Sequence, residues 1–274
     1  MNDLTLAALR CPVCASPLTA AVGALRCAAH GHSFDIARQG YAHLGAGKRL
    51  PDGDSAAMVA ARIAFLDSGH YAPLATTLAE ATPRRSELIV DTGGGTGYYL
   101  AAALDRAIGA FGLVLDVSKP ALRRAARCHP RASAALADTW GPLPLADGAV
   151  DVLLNVFAPR NGPEFARVLA PGGRLIVVTP EAEHLAELRR ELGLIEVDPG
   201  KEERLAASLR DFELDSERTV TWPLHLTRAE VESLVAMGPT ARHLTPETLH
   251  GRVTTLPEQT EVTATVRLST YRPH

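Results

Sequence analysis

The sequence predicts an α/β protein, a parallel sheet covered by helices on both faces, preceded by a small cysteine-bearing module. Three observations carry this. From Ala72 onward, short continuous apolar runs alternate with stretches of helical period, the pattern of strands buried on both faces. One of those runs, LIVDT, opens into GGGTG immediately before a helix. Three of the four cysteines, Cys11, Cys14 and Cys27, fall near the amino terminus, where helical period is weak.

The elements follow in order. Residues 1–40 hold the cysteines, and GAGKRLPDGDS has the Gly, Pro and Asp content of a linker. A helix is expected over AAMVAARIAFLDSG, completing a linking region over 41–70. Residues 71–274 carry the α/β pattern. Helix 72–82 precedes strand ELIVDTG (87–93), then come helix 98–108, strand FGLVLDV (111–117), helix KPALRRAARC and strand ASAALAD (132–138). Strand VDVLLNVFA (150–158), helix PEFARVLA, a turn at PGG and strand RLIVVTP (174–180) follow. The last third offers helices at HLAELRREL and KEERLAASLR, a strand at ERTVTWPLHL, helix 228–236 and a closing strand VTATVRLSTY.

Composition narrows the class. With 274 residues and 46% hydrophobic content the chain can bury a full core. No apolar stretch reaches the roughly 18 to 20 residues of a membrane span, and MNDLTLAALR lacks a secretory n-region, so the cytoplasm is the expected compartment. Cysteines in that compartment read as thiols or metal ligands. The net charge of −3 conceals an asymmetry: five basic against two acidic side chains through residue 50 give +3, leaving −6 elsewhere. The cysteine end is the basic end, the sign expected of a surface that meets a polyanion or of a solvated small module.

Cys11 and Cys14 have the C-x-x-C spacing of a zinc knuckle, and Cys27 lies a hairpin's length away. A closed tetrahedral site needs one more ligand, and His30 and His32 are both in reach. Cys128, at the end of an Arg-rich helix, is a less local candidate and reads as a packed thiol. Zinc supplies on the order of 10 to 16 kcal/mol, enough to fold so small a module, so the metal is structural.

In the glycine run, Asp91 closes the strand and Gly93, Gly95, Thr96 and Gly97 form the loop, where absent side chains admit a ligand to the backbone at a helix amino terminus. The spacing is G-x-G-x-G, not the dinucleotide G-x-G-x-x-G. Asp116 and Asp138 end the next two strands, placed to accept ribose hydroxyls and the adenine amino group; each could equally cap a turn.

The spacing and the acid before it resemble motif I of class I S-adenosylmethionine-dependent methyltransferases, whose domain is Rossmann-like. The wider combination resembles the large-subunit rRNA guanine-N1 methyltransferase family, and within it the branch conferring resistance to tylosin and other macrolides. It comprises CPVC, HSFDIARQGY, the helix before GHYAPL, DTGGGTGYYL, LDVSKPALRRAA, NVFAPRN and VLAPGGRLIVVTP. The resemblance implies an N-terminal zinc-binding domain that helps recognise RNA, a methyltransferase domain, S-adenosylmethionine as cofactor, a 23S rRNA hairpin as substrate and a homodimer. It also implies Cys11, Cys14, Cys27 and His32 as zinc ligands, the x-F-D context selecting His32. Tyr71, Gly95, Thr96 and His184 then match cofactor-contacting positions; without the resemblance Tyr71 and His184 read as packing residues. Asn155 and Phe157, after the fourth strand, are the substrate-handling candidates, to hold and stack on the base. The catalytic base is not assigned. Two other readings stand beside this one: a small-molecule methyltransferase, which leaves the zinc module without a role, and a non-catalytic zinc-ribbon RNA-binding protein, which leaves the glycine loop unexplained.

Overall fold

The computed structural model describes residues 1–47, 49–194 and 207–274. Helix α1 (Asp3–Ala8) starts at Asn2, whose side chain accepts from the Thr5 amide at 2.8 Å. Strands β1 (Leu18–Ala21), β2 (Ala24–Cys27) and β3 (Ser33–Asp35) form a three-stranded antiparallel sheet. The chain then leaves this small sheet: β4 (Ala42–His43) joins the edge of a second, eight-stranded one.

Helices α2 (Ala56–Asp67) and α3 (Ala72–Ala81) follow, and Ser55 caps the former at the Met58 amide. The large sheet takes β5 (Leu88–Thr92), β6 (Phe111–Asp116), β7 (Ala132–Leu136), β8 (Val150–Val156) and β9 (Leu169–Pro180). It is completed by β10 (Phe212–Thr227) and β11 (Gln259–Pro273). Its order is β10-β11-β9-β8-β5-β6-β7-β4, with β11 alone antiparallel to its neighbours. Connecting helices are α4 (Tyr98–Arg106), α5 (Lys119–Ala125), α6 (Gly162–Val168), α7 (Ala186–Leu192), α8 (Arg228–Ala236) and α9 (Pro246–Val253).

The chain winds outward from β5 through β6 to β7, then returns to β8 on the other side. Such a reversal opens a crevice beyond the carboxyl ends of the strands, so it sets the site between β5 and β8. Two sequence expectations change. Pro171–Gly173 does not separate helix from strand; it is an excursion inside β9, where Val150 pairs with Leu169 but Val152 with Arg174. The expected helix KEERLAASLR falls largely outside the described residues, which resume at 207.

Each face of the sheet has its core. On one, Phe65, Leu74, Leu78, Leu100 and Leu104 pack against Ile89, Val114 and Leu154. On the other, the cysteine module is part of the core: Leu9, Cys11, Leu25, Cys27 and Phe34 share one buried cluster with Leu113, Leu115, Leu145 and Phe165. Backbone bonds join the two parts, Arg10 N–H to Pro144 O at 2.9 Å and Ala146 N–H to Ala8 O at 2.8 Å. Among the described residues no helix is long and apolar enough to cross a membrane.

Candidate functional site

At the cysteine end, the C-x-x-C turn and the β2–β3 hairpin bring one ligand atom each from Cys11, Cys14, Cys27 and His32 within 4.8 Å of one another. His32 Nδ1 lies 3.4 Å from the Cys11 sulfur, and the Cys14 and Cys27 sulfurs are 3.4 Å apart. The Ser16 hydroxyl and amide beside Cys14 hold its thiol down to about 6, favouring the thiolate a metal needs. Three sulfurs and one imidazole form the Cys3His donor set of a structural zinc site. His30 stays outside that set: its ring stacks 5.8 Å from that of His32, and the Cys14 and Cys27 sulfurs raise its pKa. Replacing His32 by alanine is expected to lower bound zinc while His30→Ala leaves it near stoichiometric. Equal zinc content in both purified variants would refute that ligand choice.

Between β5 and α4 lies the glycine loop. Gly93, Gly95 and Gly97 all have positive φ. A Cβ on Gly97, at φ +80°, would stand 2.6 Å from the Cys128 sulfur. Cys128 is therefore a packing group behind the loop and no part of the metal cluster; burial and the nearby Asp91 push its thiol up to about 11. Gly97→Ala combines a left-handed backbone with this clash and is expected to cost about 1 to 3 kcal/mol, readable as a fall in denaturation midpoint. An unchanged midpoint would show that the loop can relax.

Asp91 ends β5 fully buried, and neither carboxylate oxygen has a hydrogen-bond partner among the described residues. Burial, reinforced by the charge of Asp116, pushes it up to about 8. Asp116 differs: its Oδ2 accepts from Gly95 N–H at 2.9 Å and its Oδ1 from Ser118 N–H at 2.7 Å. The turn-cap reading of Asp116 is thus real, but each oxygen keeps a further lone pair for a hydroxyl. Asp138 makes the analogous bond to Trp140 N–H at 2.9 Å. Asn155 is buried at the end of β8; its Nδ2 donates to Pro159 O at 2.8 Å while Oδ1 has no partner among the described residues. Nδ2 also faces Thr92 Oγ1 at 3.3 Å and Thr92 O at 3.5 Å, so the reverse amide orientation would set oxygen against oxygen and this one is fixed.

A third group assembles from remote positions. Tyr71 Oη and His184 Nε2 are 3.3 Å apart, and the Phe157 ring lies 6.5 Å from Tyr71 and 6.1 Å from His184. His184 Nδ1 accepts from Thr265 N–H at 3.1 Å, so the neutral ring carries its proton on Nε2 and donates to Tyr71. The Tyr71 hydroxyl hydrogen is left to point elsewhere. Burial raises the Tyr71 pKa, so it stays a phenol.

Two residues escaped the sequence reading. Trp222, from β10, packs edge-on against Tyr71 at 5.5 Å and donates to His70 O. Arg62, from α2, reaches Asp54 at 2.7 Å and Met237 O at 2.8 Å. Its charge acts on Asp116 and Tyr71. Ser118 in turn holds Asp54 O at 2.7 Å, so the end of the presumed linker is fastened beside the glycine loop. Helical period placed Arg62 on α2 but could not say what that helix would face.

The donor chemistry fits a cationic nucleoside ligand: two unpaired buried carboxylate oxygens, a loop without side chains, and a second carboxylate presented by backbone amides. Comparison with known proteins agrees. Residues 9–45 match the family model described as RlmA, N-terminal, and residues 90–177 match a methyltransferase domain. The chain is 57% identical to a putative 23S rRNA (guanine-N(1)-)-methyltransferase of Micromonospora griseorubida, over the full length of both. It is 50% identical to the 23S rRNA (guanine(748)-N(1))-methyltransferase of Streptomyces fradiae, over 97% of this chain and 96% of that one. The chain belongs to the 23S rRNA guanine-N1 methyltransferases. Its fold is the Rossmann-like class I methyltransferase fold with an amino-terminal zinc ribbon, and its cofactors are S-adenosylmethionine and zinc. Among solved structures, a Haloferax volcanii complex between the Trm112 methyltransferase activator and a putative methyltransferase shares the fold. It has TM-score 0.52 at 20% identity, covering 82% of this chain and all of that one. Membership also explains why a methyltransferase sheet carries a zinc ribbon in its core.

Proposed function

We propose that this methyltransferase modifies N1 of one guanine in a hairpin of 23S rRNA, in the position of the Streptomyces fradiae enzyme's guanine 748, and that the product confers resistance to tylosin-type macrolides. The observation that carries this is the full-length similarity to that enzyme, zinc ribbon included. A small-molecule methyltransferase would not need the ribbon, and a binding module would not need Asp91 buried without a partner.

When bound, S-adenosylmethionine supplies a methyl group already activated on a sulfonium. Gly93, Gly95, Thr96 and Gly97 would form its cradle, Asp91 would balance its positive charge, and Asp116 and Asp138 would hold the ribose and adenine. Tyr71, held by His184, offers its hydroxyl hydrogen to the cofactor's polar atoms. Guanine N1 is protonated in the neutral base, so its lone pair becomes available to the methyl only once that proton has passed to a base such as solvent water. Asn155 Oδ1, unpaired and fixed, accepts from the base edge, and Phe157 stacks on the ring. Cys11, Cys14, Cys27 and His32 hold zinc, keeping residues 1–40 shaped as the RNA-recognition part, with 41–70 linking and 71–274 transferring the methyl. The enzyme works in the cytoplasm as a homodimer, a state light scattering would check.

Incubation with labelled cofactor and 23S rRNA fragments should label one hairpin, and primer extension should stop at one guanine, since N1 methylation blocks the pairing edge. Labelling without such a stop, or none on any fragment, would refute the assignment. Asn155→Ala should lower kcat at least tenfold while leaving the Kd for S-adenosylmethionine within about twofold, because Asn155 acts on the acceptor. Equal losses in both would move Asn155 to the cofactor.

A further inference from the structure

Two side chains at the carboxyl end of the sheet, Trp140 and Arg160, are not used by the reading above. Trp140, in the loop after β7, is 62% exposed, and Phe157, after β8, is 39% exposed with φ at +52°. They are the exposed aromatic rings among the described large hydrophobics. The loop of Trp140 is held firmly: its amide donates to Asp138 Oδ1, and the Asn161 side-chain amide lies 3.4, 3.0 and 2.9 Å from the successive carbonyls of Thr139, Trp140 and Gly141. Asn161 thus ties the Trp140 loop to the segment that carries Phe157. Between those two residues lies Arg160. Its Nε is buried without a partner, and among the described residues no ion pair or hydrogen bond engages its guanidinium. Burial lowers its pKa, and the Tyr271 phenol near it is no counter-ion, since burial raises that group's own pKa and keeps it neutral.

A rigidly presented indole in water and a half-buried cation without an anion each cost folding free energy. Single-stranded RNA satisfies both, since every base has a π-face and every nucleotide a phosphate. We propose that Trp140 stacks on an RNA base flanking the target guanine and that Arg160 holds a phosphate of the same strand. This rests on the RNA substrate proposed above. It sets the rim between β7 and β8, and not the zinc ribbon alone, as a reader of the hairpin's unpaired nucleotides.

The test uses the full-length protein with an RNA hairpin that the wild type binds. Trp140→Ala should weaken hairpin binding by roughly 5- to 150-fold, the range of one lost stacking contact. Trp140→Phe should retain most affinity, and the Kd for S-adenosylmethionine should stay within about twofold in both. Hairpin addition should quench the emission that acrylamide reaches, which is that of Trp140 because Trp222 is buried. Arg160→Gln should lower the slope of log Kd against log salt by about 0.7 and Arg160→Lys should not. Unchanged RNA affinity in Trp140→Ala, or an unchanged salt slope in Arg160→Gln, would overturn the corresponding assignment. Quenching by S-adenosylmethionine alone, with weakened cofactor binding in Trp140→Ala, would give the indole to the adenine instead. Failure of the wild type to bind any 23S hairpin would remove the RNA reading itself, whereas wild-type binding with unaffected variants removes only this proposal.

Discussion

Replacing Asp91 by asparagine should make the ligand-free protein more stable and, in the same variant, weaken S-adenosylmethionine. The carboxyl is fully buried, lacks any hydrogen-bond partner among the described residues, and is pushed up from 3.8 to about 8 by burial and by Asp116. An acid whose folded pKa is raised binds more protons folded than unfolded between those two values. Stability is therefore fully present below about pH 4 and is lost as pH rises through about 8. Four units correspond to an upper bound of about 5 kcal/mol. The neutral amide removes this slope, so the variant's advantage in urea denaturation should be small at pH 5 and largest at pH 8.5. Asp116 is also raised and acts on Asp91, so the difference between the two proteins reports the pair, with Asp91 as its buried, unpartnered member among the described residues. A cationic ligand favours the ionised carboxylate, so wild-type affinity should rise between pH 6 and 8 and the variant's should not. The variant should bind at least tenfold more weakly at pH 8. Calorimetry at both pH values decides it: a variant no more stable than wild type at pH 8.5, with unchanged affinity, would mean that the carboxylate is solvated.

The second large effect concerns zinc. Removing the metal with a chelator, or replacing Cys27 by serine, withdraws on the order of 10 to 16 kcal/mol from a module with few large hydrophobes. Residues 8–44 should lose amide-exchange protection, and so should 143–146, because Arg10 and Ala8 bond to Pro144 and Ala146. The central strands keep their own helices on the opposite face. S-adenosylmethionine should therefore still bind within several-fold, while hairpin methylation falls at least a hundredfold. Full methylation by protein with less than a tenth of an equivalent of zinc would show the metal to be dispensable.

Much of this molecule was legible in one dimension because the signals are short-range. Apolar runs broken by helical period located β5 to β9, and turn chemistry located the glycine loop. The acids at or just beyond the carboxyl ends of β5, β6 and β7 stood out because strand ends are where side chains meet ligands in such sheets. Glycine and proline mark a bulge as readily as a loop, so Pro171–Gly173 reads as a turn in the sequence yet lies inside β9. The metal motif was clear except for its last ligand: His30 and His32 both fall in the connection between β2 and β3, and local spacing cannot say which ring that turn brings to the sulfurs.

What the sequence alone determined about this protein is therefore its class, its glycine loop and the three cysteines of its metal site, each a property of a few adjacent residues. Contacts across the fold were decided by tertiary structure. Only the folded sheet places Tyr71 against His184, more than a hundred residues later, turns Arg62 toward Asp54 and Asp116, and leaves Asp91 buried without a partner. It also makes the zinc ribbon part of the core on one face of the methyltransferase sheet, so that Leu9 and Phe34 are buried with Leu113 and Leu115. The physical reason is the same in each case: a side chain's type is local, but its pairing and solvation depend on which distant element covers it.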